Sequence, residues 1–181
     1  MPTLVFLTGA PGSGKSTLAR LLVDERPLSL LLDLDTLRGQ LGGWRADPEA
    51  AGVRARELGL AIARTQLQAG DDVVVPQFVR RPPLIEQCRD LAAATGARFV
   101  LVALVSSPEE AADRFRARLG SPDANHRDAA FLQAAADAEP VEALYQAMLT
   151  MLAGFPETRY VPSLPGDIKG TLAAVRASLP A

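Results

Sequence analysis

Short, continuously apolar runs separated by longer stretches of mixed polarity set the architecture of this chain. Thr3–Thr8, Ser29–Asp33, Val73–Pro76 and Arg98–Val105 read TLVFLT, SLLLD, VVVP and RFVLVALV. None alternates apolar with polar residues, as a strand with one wet face would. Unbroken apolarity is the pattern of parallel strands buried on both faces. A shorter fifth strand is predicted at Tyr160–Val161. The intervening segments predict helices over Lys15–Asp24, Thr36–Leu41, Glu49–Ala69, Pro83–Thr95, Pro108–Leu119, Ala129–Leu152 and Asp167–Leu179. Pro140 should break or kink the sixth, because proline lacks the N–H that a helix interior needs. Strands alternating with helices in this way predict a three-layer α/β fold. No internal repeat and no long linker interrupts the pattern, so residues 1–181 are expected to form one domain.

Composition narrows the chemistry. The 181 residues are 48% hydrophobic, enough for a full core. A net charge of −2 gives no whole-surface attraction to nucleic acid or anionic membrane, although a local basic groove stays open. The single cysteine, Cys88, and the single histidine, His126, exclude an internal disulfide, a cysteine zinc cluster and a His-rich metal site. The apolar N-terminal stretch is too short to span a bilayer and has no basic leader. A soluble, cytoplasmic protein is expected. Arginine is abundant, whereas the lysines are Lys15 and Lys169 alone. Lysine kept at position 15 hints that a compact ammonium is wanted there.

That lysine lies in Gly9-Ala10-Pro11-Gly12-Ser13-Gly14-Lys15-Ser16-Thr17, a complete match to G-x-x-x-x-G-K-[ST]. The glycines let the backbone curl close to phosphate oxygens. The N–H groups from about Ser13 to Thr17 point into the concavity at a helix N-terminus, which favours anions. Lys15 supplies positive charge for the β- and γ-phosphates, and the Ser16 hydroxyl suits Mg²⁺. An apolar strand precedes the motif and a helix with Leu18, Leu21 and Leu22 follows it, the context that separates a phosphate-binding loop from a chance glycine-rich turn. ATP or GTP binding is expected.

The second strand ends in Leu32-Asp33-Leu34-Asp35-Thr36-Leu37-Arg38. Sites in such folds sit beyond the C-terminal ends of parallel strands. Two carboxylates there are costly to hold together unless a cation or a hydroxyl balances them. Asp33 is a candidate to hold a Mg²⁺-bound water, or is purely structural. Asp35 is placed to take a proton from an attacking hydroxyl, or caps the helix that begins at Thr36. Arg38, one turn later, can grip the same acceptor.

At this point GAPGSGKSTLAR followed by D-L-D-T-L-R resembles the AAA-type P-loop kinases related to the 5′-kinase domain of bacteriophage polynucleotide kinase. It is also similar to the group containing shikimate, gluconate and chloramphenicol kinases. The resemblance implies a P-loop NTPase fold with a five-stranded parallel sheet in order 2-3-1-4-5 and a helical lid at about residues 114–128. It also implies ATP and Mg²⁺ as cofactors. It assigns acceptor binding and activation to Asp35 and Arg38, and a D-x-D role to Asp33 with Asp35. R-x-x-x-R at Arg114 and Arg118 resembles the lid arginines of these kinases. Arg114 would then meet the adenine or the phosphates, and Arg118 the transferring phosphoryl group. Val161–Gly166 falls where such kinases cradle the base, or is an ordinary strand-to-helix turn.

One departure stands out. Where many P-loop enzymes carry an aspartate at the end of the third strand, this chain has Pro76 and Gln77. Gln77 is a candidate to orient an acceptor hydroxyl. Arg80 and Arg81 either bind substrate or belong to a solvated loop. In the polar stretch from Gly120 to Asp128, Arg127 is a candidate to reach in on closure, while His126 is either a base or a solvated loop residue. Trp44, Arg45, Arg54 and Arg56 are candidates to line the acceptor pocket, although an aromatic in such a segment is more often packing than recognition.

The sequence therefore predicts a phosphotransferase with catalytic Lys15, Asp35 and Arg118, moving the γ-phosphate of ATP to a hydroxyl of a sugar, cyclitol or antibiotic-like molecule. A polynucleotide 5′-hydroxyl kinase and a P-loop ATPase or switch without an acceptor are the alternatives. No membrane partner is expected.

Overall fold

A computed structural model describes residues 1–117, 139–164 and 166–180. Five parallel strands form one sheet in the order β2-β3-β1-β4-β5. They are β1 (Thr3–Gly9), β2 (Leu30–Leu31), β3 (Val73–Pro76), β4 (Arg98–Val105) and β5 (Arg159–Pro162). The described helices are α1 (Lys15–Val23), α2 (Leu34–Gln40), α3 (Pro48–Ala69), α4 (Pro83–Ala94), α5 (Pro108–Arg116), α6 (Val141–Leu152) and α7 (Ile168–Ser178). Among the described residues no helix is long and apolar enough to cross a membrane.

The pleat of β1 explains the layers. Leu4 and Phe6 point into a cluster with Leu67 of α3, Ile85 and Cys88 of α4, and Tyr145 and Met148 of α6. Val5 and Leu7 point the other way, against Leu18 and Leu22 of α1 and Leu172 and Val175 of α7. Every residue of β1 is buried, so an alternating sequence would have placed polar groups in one of the two cores. Each fully buried apolar side chain of this size contributes about 1.5–3 kcal/mol. Burial in the first cluster pushes the Cys88 thiol up to about 12, which makes it an inert packing group.

The second strand and the helix after it differ from the sequence expectation for a physical reason. The second strand pairs over Leu30–Leu31 and not Ser29–Asp33, because Asp33 leaves the ladder to cap α2. The cap sets α2 to begin at Leu34, two residues before Thr36. Asp35 therefore lies within the first turn and is not the N-cap. Leu34 is buried against the core, and this anchors the first turn. Pro140 is the N-cap residue of α6, where its missing N–H costs nothing. The rest of the expected helix, residues 129–138, lies outside the described residues.

Candidate functional site

The loop after β1 is built around left-handed glycines. Gly12 has φ 91° and Gly14 φ 88°, a region that side chains with a Cβ rarely occupy. A Cβ on Gly12 would also stand 3.0 Å from the Cβ of Arg114. Gly14 caps α1, whose first main-chain bond runs from the Leu18 N–H to the Gly14 carbonyl at 2.9 Å. Lys15 arches back over the loop, its Nζ donating to the carbonyls of Gly9 (3.0 Å) and Ala10 (2.9 Å). Ser16 and Thr17 stand exposed on the first turn of α1. These features fit a nucleotide triphosphate: a cradle that side chains would fill, a helix N-terminus, and a lysine held over it. An exposed Ser16 hydroxyl fits Mg²⁺, which takes one or two protein oxygens and completes its shell with water and phosphate. No cluster of three metal-ligating side chains exists among the described residues, and Mg²⁺ at a phosphate site does not require one.

On one side of this loop lies a cavity of about 250 Å³ lined by Gly12, Gly14, Thr17, Arg114, Leu164 and Ile168. Arg114 is fixed there by Ser163, donating to its hydroxyl at 3.1 Å and to its carbonyl at 2.6 Å. The Ser163 hydroxyl donates in turn to the carbonyl of Ser13 at 3.2 Å. The end of β5, helix α5 and the phosphate loop are thus tied together. The segment after β5 borders the cavity with apolar side chains, Leu164 and Ile168, on which a flat ring can rest.

On the other side, beyond the end of β3, lies a larger cleft of about 690 Å³. Asp35, Arg38, Gln77 and Arg80 all line it. The topology explains the meeting: β3 stands between β2 and β1, so the segments that leave β2 and β3 share one corner of the sheet edge. Gln77 continues the ladder, its N–H donating to the Leu7 carbonyl at 3.0 Å, while its Oε1 is buried without a hydrogen-bond partner among the described residues. Arg38 pairs with Asp35 at 2.9 Å and is the more buried of the two. Its guanidinium also lies 4.9 Å from the centre of the Trp44 ring, which Arg45 approaches at 4.7 Å. Trp44 is itself buried and does not line the cleft. It therefore supports Arg38 as a packing residue, the commoner role of an aromatic in such a segment. The adjacent Trp44-Arg45 and the nearby Arg38 were the signal for it. Of the remaining pocket candidates, Arg56 lines the cleft, whereas Arg45 and Arg54 do not. Arg80 makes an ion pair with Glu139 at 2.7 Å.

Asp33 sits apart from this cleft, toward the phosphate loop. Its carboxylate accepts from the N–H groups of Asp35 and Thr36, both at 3.0 Å. Burial pushes its pKa above the ordinary carboxylate value and the charge of Asp35 adds to this. The two hydrogen bonds and the charge of Lys15 pull it back. Asp33 is therefore a helix cap within electrostatic reach of the lysine. A carboxylate has more lone pairs than these two bonds use, which suits a bound water as well. Arg118, Arg127 and His126 lie outside the described residues.

Residues 4–141 match the family model of the AAA domain. No curated protein matches the sequence. Among solved structures, a proposed kinase from Chloroflexus aurantiacus J-10-fl is similar over 99% of both chains, with TM-score 0.70 and 22% identity. A gluconokinase from Sinorhizobium meliloti 1021 is similar over 98% of this chain and 94% of its own, with TM-score 0.59 and 19% identity. A chain of the Pnkp1/Rnl/Hen1 RNA repair complex is similar over 86% of this chain and 47% of its own, with TM-score 0.65 and 19% identity. At these identities the likeness is one of fold. The family match covers most of the chain and includes the phosphate loop, α2, β3 and β4, and by it the chain belongs to the AAA-domain family with a P-loop kinase-like domain.

Proposed function

We propose that the protein is an ATP-dependent phosphotransferase that moves the γ-phosphate to a hydroxyl of a small molecule. The observation that carries this reading is the pair of sites flanking the end of β1: a phosphate loop with Lys15, and a cleft lined by Asp35, Arg38, Gln77 and Arg80. An ATPase or switch needs the first alone. ATP, when bound with Mg²⁺, supplies the phosphoryl group. Residues Gly9 to Thr17 would hold the phosphates, Ser16 would offer a metal ligand, and Asp33 would hold a water of the metal's shell. Arg114 borders the cavity that would take the base. Asp35 accepts the proton of the attacking hydroxyl, held there by Arg38 and Gln77. Lys15 offsets charge on the transferring group, and Arg118 of the lid expected at about residues 114–128, which lies outside the described residues from 118 on, is assigned the same part. The exposed Asp35 carboxylate, beside a guanidinium that fixes its orientation, suits the part of a base. The setting is expected to be the cytoplasm, where ATP is available.

The Asp35–Arg38 pair favours one second reading, a polynucleotide 5′-hydroxyl kinase. A single experiment separates them. The protein is incubated with Mg²⁺ and γ-labelled ATP, with a small-metabolite and antibiotic pool in one tube and a 5′-hydroxyl oligonucleotide in another. Label on a small molecule, lost in Asp35→Ala, is the expected result. Label on the oligonucleotide establishes the second reading. Free phosphate alone in both tubes, unchanged in Asp35→Ala, overturns phosphotransfer in favour of an unassisted ATPase.

A further inference from the structure

The cleft beyond β3 holds more positive charge than activation of a hydroxyl requires. Besides Arg38 and Arg80, it is lined by Arg56 from α3 and Arg81 from the turn before α4. Arg38 and Arg80 are engaged, with Asp35 and Glu139 respectively. Arg56 and Arg81 are exposed, and among the described residues neither makes an ion pair. They come from different elements, 25 positions apart in sequence, and converge on one concavity. An arginine fork presents its donors in the geometry of a carboxylate or a phosphate, and two forks around one hollow define a place for an anion.

Resting on the phosphotransferase reading above, we infer that the acceptor is a small hydroxylated anion. One end carries a carboxylate or phosphate held by Arg56 and Arg81, and the other presents its hydroxyl to Asp35. The cleft volume of about 690 Å³ is that of a small-molecule pocket, which runs to about 300–1,000 Å³. The acidic side chains on the same wall argue against a nucleic-acid strand. Glu49 and Glu57 also line the cleft, and a strand carrying a phosphate at every nucleotide would run across them. A molecule with one anionic group meets the two arginines and avoids the two carboxylates. In the reaction the acceptor oxygen forms its bond to the γ-phosphorus as the bond to the β–γ bridging oxygen breaks. The hydroxyl proton passes to Asp35, and ADP leaves with the bridging oxygen.

The test is a steady-state phosphotransfer assay on the full chain with three sets of acceptors. These are sugar acids and sugar phosphates (D-gluconate, D-glycerate, ribose 5-phosphate), neutral polyols (D-glucose, myo-inositol), and a 5′-hydroxyl oligonucleotide. The expected result is transfer to a member of the first set. With it, Arg56→Gln and Arg81→Gln should each raise the acceptor KM at least tenfold while changing kcat less than threefold. Arg64→Gln, an exposed arginine of α3 away from the cleft, should leave KM where it was, and thermal midpoints show that all three variants fold. Transfer to neutral polyols alone, or to the oligonucleotide, overturns the anionic acceptor and leaves phosphotransfer standing. Transfer to a sugar acid with an unchanged KM in both variants overturns the assignment to Arg56 and Arg81. No transfer to any of the three sets overturns the anionic acceptor, while the labelled-ATP experiment with the metabolite and antibiotic pool decides the phosphotransferase reading separately.

Discussion

Two aspartates two residues apart have been given different tasks by their surroundings. Asp33 is half-buried and caps α2, while the Asp35 side chain opens onto the cleft wall, 41% exposed. Asparagine at position 33 keeps an oxygen that can accept from the Asp35 and Thr36 N–H groups, and it removes a charge that burial disfavours. Asp33→Asn is therefore expected to be at least as stable as the parent at pH 7, whereas Asp33→Ala should lose about 1 kcal/mol with the cap. The pH dependence has a definite sign. The Asp33 pKa is raised in the folded state, so the folded protein binds that proton more tightly than the unfolded chain. Parent stability therefore falls as pH rises from about 4, the unfolded value, through the folded one. Any stability advantage of Asp33→Asn should then shrink on acidification and vanish below about pH 4. Chemical denaturation at a series of pH values measures this, and an advantage that grows toward acid pH would contradict it. If Asp33 also orients a metal-bound water, the same stable variant should need more Mg²⁺ for half-maximal turnover. At position 35 the expectation is reversed. Asp35→Asn keeps an oxygen for the largely buried Arg38 guanidinium and should lower the thermal midpoint by only about 2–4 °C, the effect of losing about 1 kcal/mol from a half-exposed pair. Its kcat should fall about 10²–10⁴-fold, the usual worth of a positioned base, and a loss smaller than tenfold would remove Asp35 from the chemistry.

Helix α2 carries Asp35 and Arg38, and α3 holds it in place. The two helices meet at Gly59, where a Cβ would stand 2.3 Å from a terminal methyl of Leu34. Gly59→Ala must push that leucine and, with it, the first turn of α2. A stability loss of about 1–3 kcal/mol from overpacking is expected. A fall in kcat through displaced Asp35 should accompany it, with the KM for ATP little changed, because the phosphate loop lies on β1 and α1. A variant as stable and active as the parent would show that α2 has slack. Leu34 is also the reason that Asp35 was hard to read from sequence. Either aspartate can cap a helix on local grounds. The burial of Leu34 decides which one does, and burial is a tertiary fact. The strands were legible because each is an unbroken apolar run, and the phosphate loop was legible because its conformation demands glycines at fixed spacing. The acceptor cleft was only partly so. Asp35 of α2, Arg56 of α3, and Gln77 with Arg81 of the β3–α4 connection belong to three separate segments, and the β2-β3-β1 order of the sheet brings them together. Trp44 was visible as an aromatic, but its contact with Arg38 depends on how the chain turns between α2 and α3.

At the scale of the whole molecule, the nucleotide site joins parts that the sheet alone connects weakly. The Ser163 hydroxyl reaches the Ser13 carbonyl, and Arg114 of α5 holds Ser163, so the end of the edge strand β5 hangs on the phosphate loop through side chains. A nucleotide seated between the loop and the cavity behind it should tighten this junction and raise the stability of the entire fold. The expected size follows from mass action. At a ligand concentration of 100 Kd the gain is about 2.7 kcal/mol. At about 2–4 °C per kcal/mol for a domain of this length, that is a rise of about 5–10 °C in the thermal midpoint with Mg-ATP. Lys15→Ala tests the origin of the gain. In the apo protein Lys15 Nζ bonds to two carbonyls of its own loop, and its removal leaves the Ser163 junction untouched. Lys15→Ala should cut the ATP-induced rise to less than half. Arg114→Ala should behave differently. It breaks the tie to Ser163, lowering the apo midpoint, and it should also weaken the rise if the base seats in the cavity that Arg114 borders. The two variants thus separate phosphate binding from the integrity of the junction. Equal midpoints with and without Mg-ATP in the parent protein would mean that the loop does not bind this nucleotide. A full rise in Lys15→Ala would mean that the helix N-terminus and backbone N–H groups hold the phosphates without the lysine.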